Sequence, residues 1–307
     1  MSLYRIEKEK VALVKEKPFK LEKEIQAIVE KNLQSLLGLE FIRSEFALNS
    51  FRIDSLAFDM EKKSFVIIEY KRDKNFSVID QGYAYLSLML NNKAEFILEY
   101  NESRSESLKR SDVDWSQSKV VFISPNFTTY QKEAINFKDL PIELWGIKYF
   151  ANGTLLFEQI INRTSKESIK AVANSETIKT VSQEIKVYSE QDHLENKKSD
   201  LVNIYNEIKE FLLSLGEDIT IQPKKTTIGF KVGKKVFCDF TIQNNDIRLF
   251  LNVKKGILRD PEKITRDMSG KGHWGNGDYE VRLPLKDDLE IDYVFGLLKQ
   301  AINKNRE

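Results

Sequence analysis

The sequence predicts an α/β domain built on a mixed sheet, followed by a smaller α+β domain with an antiparallel sheet. Three observations carry that reading. Apolar residues in the first half follow helical spacing, then alternate through three strand-like runs, then return to helical spacing before another strand, an order of α-β-β-β-α-β. A polar stretch rich in Ser, Thr, Lys and Glu, residues 162–190, then interrupts the pattern. Beyond it, short alternating strands are punctuated by polar turns and flanked by helical stretches. The boundaries that follow are 1–161 for the first domain, 162–190 for a linker and 191–307 for the second domain.

Element by element, "KLEKEIQAIVEKNLQSLL" (20–37) places apolar groups on one helical face, and Gly38 follows as a C-cap. Strands are expected at 41–48, 51–59 and 64–71, the last two joined by the polar turn "MEKK" as a hairpin. Ser77 and Asp80 form a capping box that opens the helix "VIDQGYAYLSLMLNN". The run 94–100 fits either a strand or a continuation of that helix. "KVVFISPN" (119–126) is a strand, 127–138 a helix, and 142–150 with 154–160 a closing hairpin. The second domain begins with a helix from about 191. Strands follow at 219–222, 226–232, 235–243 and 246–253, then the glycine-rich loop "MSGKGHWGNGDYEV" and a last helix at 289–303.

Composition narrows the chemistry. The chain has 307 residues, 41% hydrophobic and 31% charged, the balance of a folding, soluble protein. It holds no apolar run long enough for a membrane span and no secretory leader, and the single Cys238 suits a reducing compartment, so a cytoplasmic location and no membrane partner are expected. With His193 and His273 the only histidines, a zinc cluster or three-His centre is excluded within one chain, and no phosphate-loop or dinucleotide fingerprint is present. Carboxylates and lysines are left to carry any catalysis. The net charge of +1 means that a polyanion would be met by a local basic patch.

One stretch concentrates the candidates. In "FRIDSLAFDMEKKSFVIIEYKRD" an apolar strand runs straight into Glu69, Tyr70, Lys71 and Arg72. Alternation puts Glu69 and Lys71 on one side of the strand and Tyr70 on the other. A turn centred between Glu61 and Lys62 pairs Phe58 with Phe65, Leu56 with Ile67 and Asp54 with Glu69. Two carboxylates at opposed positions repel, so the hairpin calls for a compensating cation, either Lys71 or a bound metal ion. Hard oxygen ligands suit Mg²⁺ or Mn²⁺, and such an ion beside a lysine is an apparatus for hydrolysing a phosphodiester.

These residues resemble the motif of the PD-(D/E)xK nuclease superfamily: Ile53-Asp54, then Glu69-Tyr70-Lys71, in a matching restriction-endonuclease-like order of elements over about residues 18–150. Ile53 stands where the family's proline is usual. The resemblance implies that Asp54 and Glu69 bind the metal, that Lys71 assists catalysis, and that an acidic residue of the first helix joins them. Glu24 is the best match for that residue, with Glu22 and Glu30 as rivals. Gln81 and Tyr85, four apart on one helical face, look like the substrate-binding Q-x-x-x-Y element of the RecB-like branch, although Tyr85 also fits a core stripe with Leu86 and Met89.

Outside this motif the readings stay open. Arg72 beside Lys71 is either a solvated edge or a phosphate contact. Lysines 224, 225, 231, 234 and 235 either protect sheet edges or meet nucleic acid. His273 and Trp274, set between glycines, either stack on a base or pin their own loop. The region from 191 onward also resembles an uncharacterised C-terminal domain family found beside nuclease-like domains, some members of which carry a transport label. The expected activity is metal-dependent hydrolysis of nucleic acid, DNA ahead of RNA, for which a homodimer would be natural. The alternative is a non-catalytic nucleic-acid- or protein-binding module on the same scaffold, with a soluble accessory role in transport behind it.

Overall fold

The computed structural model describes residues 2–72, 77–161, 167–172, 175–272, 276–285 and 291–306. The chain divides into two units, Met1–Val187 and Tyr188–Glu307. The first opens with a hairpin, β1 (Leu3–Glu7) and β2 (Lys10–Val14), followed by helices α1 (Glu22–Lys31) and α2 (Leu33–Leu37). Next come β3 (Glu40–Leu48), β4 (Phe51–Asp59) and β5 (Ser64–Tyr70), then α3 (Val78–Asn91) and α4 (Lys93–Arg104). The unit is completed by β6 (Lys119–Ser124), α5 (Thr129–Ala134), β7 (Ile142–Tyr149), β8 (Leu155–Ile160), α6 (Ile169–Val172) and α7 (Glu176–Glu184).

Strands β3 to β8 form one six-stranded sheet in sequence order. The β3–β4, β4–β5 and β7–β8 pairs are antiparallel, whereas β5–β6 and β6–β7 are parallel. All seven residues of β5 are buried, the continuous apolar run of a strand covered on both faces. Phe65 and Ile67 share a core with Leu86 and Met89 of α3, while Val66, Ile68 and Tyr70 share another with Ile25 and Val29 of α1. Helix α3 therefore covers one face of the sheet and α1 the other. Glu69, next in the Phe65–Ile67 series, lies on the α3 side.

Local chemistry explains the boundaries. Gly38 closes α2 with φ +69, a left-handed value natural to glycine. Ser77 caps α3 by accepting the Asp80 N–H at 3.3 Å. Gly82 lets α3 approach the sheet: a Cβ there would sit 2.5 Å from Ile142 Cδ1. The ambiguous run 94–100 is helical, as part of α4, with Phe96 and Tyr100 buried.

The stretch expected to be a linker does something else. Ile169, Ile178, Val181 and Ile185 are buried in the core that contains α3, so residues 167–172 and 175–187 belong to the first unit, while 162–166, 173 and 174 lie outside the described residues. One apolar residue per turn is enough when the helix has a neighbour to cover.

The second unit contains α8 (Glu190–Leu194), α9 (Ser199–Ser214), β9 (Ile219–Pro223), β10 (Ile228–Val232), β11 (Lys235–Ile242), β12 (Asp246–Leu251), β13 (Thr265–Asp267), β14 (Tyr279–Pro284) and α10 (Ile291–Arg306). Its sheet is six-stranded and wholly antiparallel, in the order β13-β14-β12-β11-β10-β9. Tyr205 of α9 packs against Phe240 at 5.6 Å, and Leu297, Leu298 and Ala301 of α10 enter the same core. No helix among the described residues is long and apolar enough to cross a membrane.

A candidate metal-dependent active site at the end of β4 and β5

The β4–β5 ladder has the expected register, with Phe58 opposite Phe65 and Leu56 opposite Ile67. Its last pair is Ser55 with Ile68. One residue further the Asp54 side chain takes over: its Oδ2 accepts the Tyr70 N–H at 3.0 Å. The Asp54 carbonyl is held separately, by Gln26 Nε2 of α1 at 2.9 Å. Asp54 is thus fixed on both sides where the strands part. On the other edge of β5 the Lys71 N–H donates to the Ile123 carbonyl at 2.9 Å, extending the pairing with β6 and holding the Glu69–Lys71 backbone straight.

Glu69 is 4% exposed. Its Oε1 accepts from Lys71 Nζ at 2.7 Å and from Gln81 Nε2 at 3.0 Å, and the same amide reaches the Tyr85 hydroxyl at 3.3 Å. The other oxygen, Oε2, is buried and without a hydrogen-bond partner among the described residues. A buried carboxylate oxygen left in that state is costly unless something else occupies it.

The acids sense each other. Burial first, and then the neighbouring Glu69 charge, push the Asp54 carboxyl up to about 6, against the Tyr70 N–H and Lys71, which pull it down. Burial and the Glu69 charge also hold the Tyr85 phenol well above its ordinary range, so it stays a proton donor, and Asp54 adds to that effect. Both carboxylates therefore act on a tyrosine of α3.

The linkage sign gives a prediction. A carboxyl whose folded-state pKa exceeds its ordinary value of 3.8 binds its proton more firmly in the folded protein. Its stabilising protonation is complete below about pH 4 and is lost as pH rises through about 6. Asp54→Asn is expected to raise metal-free stability at pH 7 by up to about 3 kcal/mol, less what solvent screening removes, and to change little below about pH 4. Urea unfolding at several pH values checks this.

Could these residues hold a divalent cation? Among the described residues there is no group of three or more His, Cys, Asp or Glu side chains placed to hold a metal. Mg²⁺, however, commonly takes only one or two protein carboxylates and completes its shell with water and substrate oxygens. The unpartnered Glu69 Oε2 and the raised Asp54 carboxyl are what such an ion would relieve, so the donor set fits Mg²⁺ or Mn²⁺.

Other expected residues fall differently. Glu24 Oε2 accepts the Lys20 N–H at 2.8 Å, just before the start of α1. Of its rivals, Glu22 accepts the Arg72 N–H at 2.8 Å, and Glu30 accepts the Ser55 hydroxyl at 2.6 Å. Arg72 is also engaged at α1, donating from Nη1 to the Lys20 carbonyl at 2.6 Å. His273 and Trp274 lie outside the described residues.

Two contributors escaped the sequence reading. Gln26, only 7% exposed, positions the Asp54 backbone, and a polar residue on the buried face of an amphipathic helix was the available signal. Glu45 of β3 lies between Ser44 and Phe46, which pair with Ser55 and Ile53, so it faces Asp54 and raises its carboxyl further. Its φ of +52 costs of order 1 kcal/mol, and nothing in the local sequence announces it.

Three solved structures are similar to part of this chain. A repair endonuclease from Pyrococcus abyssi matches with TM-score 0.22 and 17% identity, over 39% of this chain and 45% of that one. An EndoMS–dsDNA2 complex matches with TM-score 0.22 and 14% identity, over 44% and 60%. Pyrococcus furiosus SfsA in complex with Ca²⁺ matches with TM-score 0.24 and 15% identity, over 46% and 62%. The chain thus spans less than two thirds of each. Residues 190–303 match the model of a domain of unknown function, DUF5655. An uncharacterized protein of Haemophilus influenzae is 46% identical over 303 residues, covering 98% of this chain and 99% of that protein. At that identity over nearly the full length of both, the chain belongs to the same family as the Haemophilus influenzae protein.

Proposed function

We propose that the first unit is a metal-dependent nuclease of the PD-(D/E)xK type, acting on phosphodiester bonds of nucleic acid, DNA ahead of RNA. The observation that carries this reading is the buried Glu69 Oε2 without a hydrogen-bond donor among the described residues, beside an Asp54 carboxyl pushed up to about 6. Asp54 and Glu69 are the residues that would hold Mg²⁺ or Mn²⁺. When bound, the ion supplies Lewis acidity and lowers the pKa of a coordinated water.

The chain's own side chains do the rest. Lys71, joined to Glu69 at 2.7 Å, sets a positive charge where negative charge builds on the phosphate. Gln81 fixes the Glu69 carboxylate, and Tyr85, protonated and 6% exposed, closes the α3 side against water. Gln26 and the Tyr70 N–H keep Asp54 aimed at the same place. The residues that hold and aim the acids come from α1, β5 and α3, rigid elements suited to a preorganised site.

The test is a hydrolysis panel with the full chain: single-stranded, duplex, branched and modified DNA, and RNA, each with Mg²⁺, Mn²⁺ or chelator. Cleavage that requires the metal is expected for at least one substrate. Binding without hydrolysis across the panel would replace this reading with that of a non-catalytic module on the same scaffold.

A further inference from the structure

The sheet of the second unit covers one face with α9 and α10. Ile228, Phe230, Phe240, Leu249 and Val281 enter the core beneath the helices. Alternation therefore sends Gln222, Gly229, Asp239, Thr241, Arg248, Phe250, Glu280 and Arg282 to the far face. The register sets them in two rows. One runs Gln222, Gly229, Asp239, Phe250, Glu280 and Arg266; the other runs Thr241, Arg248 and Arg282. Opposed neighbours in such rows have Cβ atoms about 5 Å apart.

One part of this face is complete. Asp239 accepts from Lys224 Nζ at 2.8 Å, from the Thr227 hydroxyl at 3.0 Å, and from the Asn276 N–H and side-chain amide at 3.2 and 3.1 Å. It is a clamp that ties two loops to the sheet.

Part of the remainder is not satisfied. Among the described residues, four buried side-chain atoms of this face have no hydrogen-bond partner: Gln222 Oε1, Thr241 Oγ1, Arg248 Nε and Glu280 Oε2. Glu280, 4% exposed, lies 3.7 Å from Arg248 and 3.6 Å from Arg266, beyond hydrogen-bond length. Arg248 stands directly opposite Arg282, a like-charge pairing that disfavours the sheet. Arg282 is answered by Asp246, whereas among the described residues Arg248 meets a carboxylate only in the longer ion pair with Glu280 at 3.7 Å. The unmade hydrogen bonds of Thr241, Arg248 and Glu280, on the three neighbouring strands β11, β12 and β14, call for a partner.

The unmade bonds describe that partner. The Thr241 hydroxyl and the Arg248 guanidinium are donors on neighbouring strands, with the Arg282 guanidinium, already paired with Asp246, opposite Arg248, and a guanidinium fork matches the oxygens of a phosphate. Beside them Glu280 Oε2 is an acceptor that calls for a hydroxyl or amino donor. Phosphate oxygens next to hydroxyl or amino donors are the chemistry of a nucleotide. We propose that this face of the C-terminal sheet binds a nucleotide phosphate through Arg248, Arg282 and Thr241, with Glu280 accepting a donor group of the same nucleotide. The site is independent of Asp54 and Glu69 and is read by binding, not hydrolysis.

The test uses the full chain in chelator with three probes: inorganic phosphate, adenosine monophosphate and a fluorescent single-stranded oligonucleotide. Arg248→Gln is expected to weaken binding at least about tenfold and to lower the salt slope of oligonucleotide binding by about one. Thr241→Val is expected to weaken binding while melting no lower than the wild type, because that hydroxyl has no partner among the described residues. Lys304→Ala, on α10 against the covered face, serves as the control and is expected to bind as the wild type does. Displacement of the oligonucleotide by the mononucleotide assigns a free nucleotide as ligand; oligonucleotide binding without it assigns a strand. Three results would overturn the proposal: no binding of any probe, wild-type affinity in both site variants, or equal displacement by an acidic peptide.

Discussion

Glu69→Gln is expected to lower metal-dependent hydrolysis by at least about 100-fold, the scale on which loss of one charge-stabilising group acts in an active site, while the protein melts at or above the wild-type temperature. The glutamine keeps the size of the side chain and an oxygen for Lys71 and Gln81, which now bond to Glu69 Oε1. It removes the charge that lifts the Asp54 carboxyl, and it replaces a buried oxygen that accepts nothing among the described residues with an amide. The metal seat loses one of its two carboxylates and the folded state loses a repulsion, so activity and stability move in opposite directions. Hydrolysis rates and thermal melts of the same preparation, both measured against wild type, check this. Activity and stability falling together would mark Glu69 as structural.

Phe65→Ala is expected to destabilise the first unit by about 3–5 kcal/mol, the usual cost of emptying a buried aromatic site. Phe65 is fully buried at the centre of an aromatic cluster. Its ring centroid lies 5.1 Å from Phe58, 5.6 Å from Phe96, 6.2 Å from Tyr100 and 5.4 Å from the stacked Trp115. These neighbours come from β4, from α4 and from the loop before β6, so one deletion loosens packing across elements distant in sequence. For a unit of this size the melting transition should fall by roughly 6–20 °C. The second unit has its own core and should unfold at its wild-type midpoint. Calorimetry that resolves the two transitions reads both, and a loss below about 1 kcal/mol would contradict the packing described here.

The central sheet was legible because its strands carry the strongest local signal. The register of β4 and β5 followed from one polar turn, and that register alone brought Asp54 to the level of Glu69. Ser77 announced α3, and Gln81 and Tyr85 four residues apart announced the face it turns to the acids. What was missed depends on partners that a single strand or helix does not reveal. The hairpin β1–β2 turns through Lys8 and Glu9, both with positive φ, where the usual Asn-Gly signal is absent. Helix α7 carries only Ile178 and Val181 among polar residues, with Ile185 just past its end, and its period was lost in composition. Strand β14 was hidden by the glycines before it, although Val281 and Leu283 alternate into the core. Glu24 was matched along the chain, and such a match does not say what a helix residue touches: its carboxylate holds the Lys20 N–H.

The most direct measurement is a calorimetric titration of the full chain with Mn²⁺, set beside the same titration of Asp54→Asn/Glu69→Gln. One site per chain that disappears in the double variant, with the melting temperature maintained, is the result predicted. Mn²⁺ binding that survives both substitutions, or a wild-type chain that binds none, would contradict the claim that these two carboxylates form a seat for a divalent cation.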